Sequence, residues 1–256
     1  MSAPEGGLEA AGAGAAPEGG PRLLSVLVPV YNEERTLPAV LRRLAAVELP
    51  GLRKEVVVVD DASTDQSRVL AESFAATPPP GLERVVVRAH ARNRGKGAAV
   101  RTAIEAASGD LAVIQDADLE YDPADLPALL APLLDGRADA VFGSRFLGGP
   151  HRVLYFWHFV ANKLLTLLSN MLSNYNLSDM ETGYKAFDMR VLRELGLKSE
   201  RFGIEPEIVA RLARRRARLY EVPISYSGRT YQEGKKIGWR DGIAALWWIF
   251  RFRFFP

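Results

Sequence analysis

The chain has 256 residues, 48% hydrophobic and 25% charged, with 33 Lys/Arg against 31 Asp/Glu, a balance suited to a globular protein with a core that needs no disulfides. It has no cysteine and only His90, His151 and His158 as histidines, with no HxxxH pair. Thiolate metal sites and cysteine nucleophiles are thereby excluded, a histidine-rich zinc site is disfavoured, and a reducing compartment is the natural setting.

Residues 1–21 are nearly all Ala, Gly, Pro and Glu. Such a segment buries too little apolar surface to offset its ordering entropy, so a disordered tail is expected. It lacks the basic start and apolar run of a secretory signal. No window reaches the roughly 20 apolar residues of a membrane span, so the expected location is cytoplasmic.

The runs 23–32, 54–63, 82–90, 110–118 and 138–146 read as strands, each rich in Val, Leu or Ile. Between them, 36–47, 64–76, 97–107 and 123–134 have helical spacing, with Leu37, Val40, Leu41 and Leu44 on one face of the first. This alternation predicts an α/β fold, a mostly parallel sheet sandwiched by helices on both faces. The valine run 56–59 suits a strand buried on both sides. Beyond 146 the spacing predicts a long helix over 153–172 with a polar stripe at His158, Asn162, Thr166 and Ser169, a helix over 205–219 and a strand over 220–226. Eleven Lys/Arg against three Asp/Glu from Arg211 onward make the last quarter basic, either a solvated face or a surface for an anionic partner.

Parallel α/β sheets bind ligands beyond the carboxyl ends of their strands. Those ends read PVYNEE, VDDAS, RAHARNRGKG, QDAD and GSR, and each carries polar chemistry. Asp116 and Asp118, with Glu120 close behind, offer oxygen ligands for a hard cation such as Mg2+ or Mn2+. A metal held by one or two carboxylates completes its shell with water and substrate phosphate, so this D-A-D suits a diphosphate ligand. Asp60 and Asp61 stand where an acid holds a ribose hydroxyl in dinucleotide-binding folds. PVYNEE replaces the glycine fingerprint of those folds, which disfavours hydride transfer and leaves Tyr31 to lie against a base and Glu33 to accept hydrogen bonds. For one of the two aspartates a local role is expected, with Ser63 or Thr64 capping the next helix. Asn93 to Gly97 precede a helix, where glycine amides approach phosphate. Lys96 is then either a phosphate contact or a surface lysine.

Together, PVYNEE, VVDDAS, NRGKGAAV and QDADLEYDP resemble inverting glycosyltransferase family 2, with a GT-A (Rossmann-like) fold. GSRF and the later segments resemble its dolichol-phosphate mannose synthase and polyprenyl-phosphate glucosyltransferase branch. The resemblance covers about residues 22–240 and implies a nucleotide-sugar half (22–146), an acceptor half (147–240) and an aromatic and basic amphipathic segment (241–256) at the membrane interface. It assigns Pro29, Tyr31, Glu33, Asp60, Lys96 and Asp116 to the nucleotide sugar, and Asp116, Asp118 and Glu120 to the metal. Arg145, Arg229 and Lys236 would contact phosphate, with Asp118, Arg145, Glu181 and Lys236 serving the chemistry. Departures accompany it. Glu120 stands where the mannose synthases often carry Gln, and Lys235 replaces a usual serine after Gly234. His158 and Asn162 occupy the positions of their lipid-phosphate arginine and serine, and DMETGYKAF (179–187) differs from their version.

The implied reaction moves a hexose from GDP-mannose or UDP-glucose to a polyprenyl phosphate at the cytoplasmic membrane face, with Mg2+ or Mn2+. A separate membrane protein would flip the product. A phosphate acceptor is largely anionic at neutral pH and attacks without a base. A hydroxyl acceptor, the first rival, needs one, and Glu181 or Asp179 would serve. Trp247, Trp248 and the phenylalanines to Phe255, interleaved with Arg251 and Arg253, fit a bilayer interface, or else a core helix or oligomer contact. A nucleic-acid interface on RLARRRAR (211–218) is disfavoured, because Ile208, Leu212 and Leu219 give that run an apolar side. A degenerate, non-catalytic scaffold is disfavoured by the intact DAD and GSR.

Overall fold

The computed structural model describes residues 22–148, 151–153, 155–229 and 239–255. The tail over 1–21 and the stretch carrying Gly234, Lys235 and Lys236 lie outside them. Strands β1 (Arg22–Val30), β2 (Leu52–Asp60), β3 (Arg84–Ala89), β4 (Leu111–Ile114), β5 (Ala140–Ser144), β6 (Lys185–Asp188) and β7 (Leu219–Pro223) form one sheet in the order β3-β2-β1-β4-β6-β5-β7. All are parallel except β6, which runs antiparallel to β4 and β5.

The valine run shows why the sheet is a middle layer. Val56 and Val58 point into one core, and Val57 and Val59 into the other, all fully buried. Alternation is the period of a strand, so apolar residues on both faces demand cover on both faces. The first core is closed by α1 (Leu37–Ala46), α2 (Ser67–Ala76) and α4 (Leu126–Leu134). The second is closed by α3 (Lys96–Ala106), α5 (Phe156–Ser173), α6 (Met189–Glu194), α7 (Ile204–Arg214) and α8 (Trp239–Phe254).

Several expectations are corrected. The strand expected over 110–118 ends at Ile114. Gln115 still donates its amide to the Leu27 carbonyl, and then the chain turns, with Leu119 left-handed at φ 62°. Neither Ser63 nor Thr64 caps α2, which starts three residues later after Gln66. Ser63 Oγ instead accepts the Asn32 amide. The helix expected over 205–219 stops at Arg214, because Arg216 is left-handed at φ 53° and the Ala217 amide turns back to the Leu212 carbonyl. Leu219 therefore belongs to β7. Strand β6 and helix α6 were not expected at all.

The polar stripe on α5 faces inward. Thr166 and Ser169 are 3% and 4% exposed, while Trp157 is 76% and Met171 71% exposed. Phe156, Leu164 and Leu167 also face out. In α8, Trp248 packs over Gly203 and stacks on the buried Phe252, whereas Trp247, Phe250, Phe254 and Phe255 are exposed. No helix of the described residues is long and apolar enough to cross a membrane.

Candidate active site

Because β6 alone is reversed, the carboxyl ends of the other six strands share one edge of the sheet. Three charged groups of side chains meet there.

The first is built on Asp116. Lys96, at the start of α3, reaches its Oδ1 at 2.9 Å and Glu205 Oε1 at 3.2 Å. Glu205 continues to Lys185, which is fully buried in β6, at 2.6 Å. Lys96 is thus neither a surface lysine nor aimed at solvent. Burial alone would lower its pKa, but the Asp116 and Glu205 carboxylates overcome that and raise it. The same two lysines hold the Glu205 carboxyl below its usual range against the effect of burial. Gly183 permits this packing, since a Cβ there would lie 2.4 Å from Asp116 Oδ2.

The glycine loop before α3 departs from its expected role. The amides of Arg94 and Gly95 donate to Asp61 at 2.8 and 2.6 Å, and the Ala98 amide donates to the Glu200 carbonyl at 3.0 Å. A Cβ on Gly97 would lie 2.4 Å from the Ser199 carbonyl. These glycines serve close approach of the 199–201 backbone, and those three amides have protein acceptors. Asp61, further held by His90 Nδ1 at 2.7 Å, is the aspartate with the local role. Asp60, buried at the end of β2, accepts long contacts of 3.2 and 3.3 Å from the Ser63 amide. Pro29 lies beside Val59 in the β1–β2 register, and Tyr31, 39% exposed, stands at the mouth beyond β1.

The second group surrounds Arg229. Its guanidinium lies 3.1 Å from Glu33 Oε1, 3.1 Å from Asp118 Oδ2 and 3.8 Å from Glu120 Oε1. Its backbone amide donates to Glu120 at 2.9 Å, and the Tyr226 hydroxyl donates to the other Glu120 oxygen at 2.6 Å.

The third group is Arg145 with Asp179. Two guanidinium nitrogens meet the two Asp179 oxygens at 2.7 Å each, and the Arg145 amide adds a third bond at 3.1 Å. Asp179 is fully buried and so paired that it is no free base. The fork lies against the rings of Tyr226 and Phe146. Lys163 of α5 sits over the Phe146 ring and donates to the Ser178 carbonyl at 3.0 Å. His158, against Tyr155, and Asn162, whose Oδ1 has no hydrogen-bond partner among the described residues, are not drawn into this group. Lys236 lies outside the described residues.

Glu181 sits among these pairs as an odd carboxyl. Asp116 has Lys96, Glu205 has Lys185 and Asp179 has Arg145. Glu181 Oε1 is buried without a hydrogen-bond partner among the described residues. Burial, reinforced by Glu205 and opposed by Lys185 and Arg145, pushes its pKa up to about 7.

The donor set fits a hard divalent ion in one particular way. Among the described residues no three His, Asp or Glu side chains are grouped so that they alone could hold a metal ion. Asp116 and Asp118 each face a cationic nitrogen, so these carboxylates do gather positive charge. One or two of them with a diphosphate would complete a shell, as Mg2+ favours.

Strand order, the single reversed strand and a charged carboxyl edge define the GT-A, Rossmann-like class. The chain belongs to glycosyl transferase family 2, whose family model matches residues 25–196. It is similar to undecaprenyl-phosphate 4-deoxy-4-formamido-L-arabinose transferase of Aeromonas hydrophila, 31% identical over 84% of this chain and 63% of that one. It is similar too to glycosyltransferase AglJ of Haloferax volcanii, 30% identical over 82% of this chain and 64% of that one. The chain thus spans just under two thirds of the length of these relatives. Among solved structures, glucosyl-3-phosphoglycerate synthase of Mycobacterium tuberculosis, in complex with Mn2+, UDP-glucose and phosphoglyceric acid, superposes with a TM-score of 0.67 at 22% identity. That match covers 92% of this chain and 81% of that one, and it shows the shared fold.

Glu205 and Glu221 were missed as site supports by sequence reasoning. Glu221 accepts the amides of Ser178 and Asp179 and so fixes the segment that carries Asp179. The signal for Glu205 was slight, an acid at a helix start just before a basic run.

Proposed function

We propose that the chain transfers a hexose from a nucleotide sugar, GDP-mannose or UDP-glucose, to a polyprenyl phosphate at a membrane surface, with inversion. What carries this reading is one adjacency. Helix α5, with its aromatic and aliphatic side chains outward, touches the cationic edge of the site through Lys163 over Phe146 and Phe159 against Phe146. A phosphate on a lipid requires both, a guanidinium for its charge and an apolar surface beside it. The curated relative named for undecaprenyl phosphate agrees with this acceptor class.

Tyr31, Glu33 and Asp60 would hold the nucleoside, with Pro29 shaping the end of β1. Asp116 and Asp118, with Glu120, would hold Mg2+ or Mn2+. When bound, such an ion supplies positive charge to the leaving diphosphate. Lys96 holds Asp116 in place from behind. Arg145, locked by Asp179, presents a fixed positive charge to the acceptor phosphate, and His158, Asn162, Arg229 and Lys236 complete the proposed phosphate contacts. The exposed side chains of α5 and α8 would rest in the bilayer interface on the cytoplasmic side, with Arg251 and Arg253 near anionic headgroups. A separate membrane protein would then move the product lipid across, and nucleic acid plays no part.

Glu181 favours a second reading. A buried carboxyl with a pKa near neutrality and one oxygen unpartnered among the described residues suits a general base, and a hydroxyl acceptor would need one. The test is sugar transfer from radiolabelled UDP-glucose and GDP-mannose, in parallel, to polyprenyl phosphate in detergent with Mg2+ or Mn2+, with Asp118→Ala as control. Metal-dependent, Asp118-dependent label in the lipid phase supports the reading and names the donor. Donor binding without lipid product from either sugar sinks it.

A further inference from the structure

The Arg229 cluster carries a consequence for how a metal enters. Glu33 comes from the loop after β1, and Asp118 and Glu120 come from the turn after β4. Their three negative charges converge on one guanidinium, whose side chain is only 19% exposed. The contact with Glu33 is a fork, 3.2 Å from Nη1 and 3.1 Å from Nη2 to the two carboxylate oxygens. Nη2 also takes Asp118 Oδ2 at 3.1 Å, while Asp118 Oδ1 accepts the Glu120 amide at 3.1 Å. Asp118 therefore offers a metal no oxygen without a proton donor already on it.

Mg2+ binds carboxylate oxygen at about 2.0–2.1 Å. An ion at that distance from Asp118 Oδ2, with Nη2 left where it is, would place two like charges within about 5 Å of each other in a partly buried site, where repulsion is strong. The metal and the guanidinium compete for one oxygen. A nucleoside diphosphate removes the conflict, because its negative charge gives the guanidinium another partner.

We propose that Arg229 is the resident counter-cation of this site. It holds Glu33, Asp118 and Glu120 together in the metal-free protein and yields Asp118 to the divalent ion only when a nucleoside diphosphate arrives. Arg229 is thus a positioning residue that makes metal binding depend on the donor. This rests on the metal assignment above and not on the acceptor.

The test is a Mn2+ titration of the full chain, with free Mn2+ read by electron paramagnetic resonance, alone and with UDP or GDP, whichever nucleotide the wild type binds. Wild type is compared with Arg229→Ala, Arg229→Gln and Arg229→Lys. Asp118→Ala locates the binding. Without nucleotide, the Ala and Gln variants are expected to bind Mn2+ about tenfold more tightly than wild type, within the usual range of coupling between ligands. Lys, which keeps the charge, should stay close to wild type. Nucleotide should tighten Mn2+ binding in wild type far more than in the neutral variants. Gln keeps much of the size of Arg and can still bond to Glu33, so it serves if Ala unfolds, with circular dichroism as the check. Neutral variants that bind Mn2+ no more tightly than wild type, or equal tightening by nucleotide in all, overturn the proposal. So does a wild type that binds no Mn2+ even with the nucleotide present. None of these readings needs sugar transfer, so failure of the transferase reading would be seen separately.

Discussion

Helices α1 and α5 carry the same kind of two-sided pattern and bury opposite sides of it. In α1 the apolar side, Leu37, Val40, Leu41 and Leu44, is buried and Arg42 and Arg43 face solvent. In α5 the polar side, Thr166 and Ser169, is buried, and Phe156, Trp157, Leu164, Leu167 and Met171 face out. Hydrophobic burial accounts for the first without further help. The second makes sense only where something other than water covers the outer face, and an exposed patch of this kind marks an interaction surface. The inward polar groups are used: Thr166 Oγ1 accepts the Met180 amide at 3.1 Å, fixing the segment that carries Asp179 and Glu181. One helix thus serves the core, and the other joins the site to a surface.

Five substitutions bear on this contrast. The largest effect is expected at the carboxyl edge, where Asp118→Ala should lower transfer by about 10²–10³-fold, the usual loss when a charge-stabilising group is removed. The exposed faces of α5 and α8 are untouched, so vesicle binding should stay unchanged, and a loss of both would blur the two regions into one. Glu205→Gln comes next. It leaves Lys96 and Lys185 short of a buried carboxylate, and breaking such a pair costs about 3–5 kcal/mol. Thermal unfolding should show a midpoint lower by roughly 6 °C or more.

Trp157→Glu and Trp247→Glu probe the other region. Each should weaken binding to anionic vesicles by about ten- to a hundredfold, from roughly 1.5–3 kcal/mol per buried side chain. Both residues are exposed, so unfolding in solution should not shift. If either variant destabilises the protein and leaves flotation intact, the outer face is not a membrane face.

The smallest effect concerns Glu181. Its carboxyl is held neutral in the folded state up to about pH 7, above the value near 4.3 of a free glutamate. Between those values the folded protein binds the extra proton, so stability contributed by the neutral form is present at low pH and falls as pH rises. Glu181→Gln should flatten the decline of the unfolding midpoint between pH 5 and 8. With a phosphate acceptor it should keep most of its transfer activity, whereas a base role would abolish it.

Much of the sheet was legible because its signal is local. Val56 to Val59 announce a strand buried on both faces. Strand β6 was not legible: KAFD has four residues, and its buried lysine is satisfied by Glu205 and by the Met180 and Thr182 carbonyls, partners that the sequence does not place beside it. The direction of α5 was not legible either, since spacing defines two faces and not which one turns inward. Arg229 joins Glu33 across 196 positions, a contact that no motif records. A local role was expected for one of Asp60 and Asp61, but that it falls to Asp61 required the position of the glycine loop.

The most direct measurement compares two acceptors that differ only in the attacking group. The same radiolabelled donor is offered to polyprenyl phosphate and to the unphosphorylated polyprenol, in mixed micelles with Mn2+, using wild type and Glu181→Gln. The account predicts labelled lipid from the phosphate alone, formed by both proteins. Transfer to the alcohol, lost in Glu181→Gln, would contradict it and establish the carboxyl as the base of a hydroxyl-directed transferase.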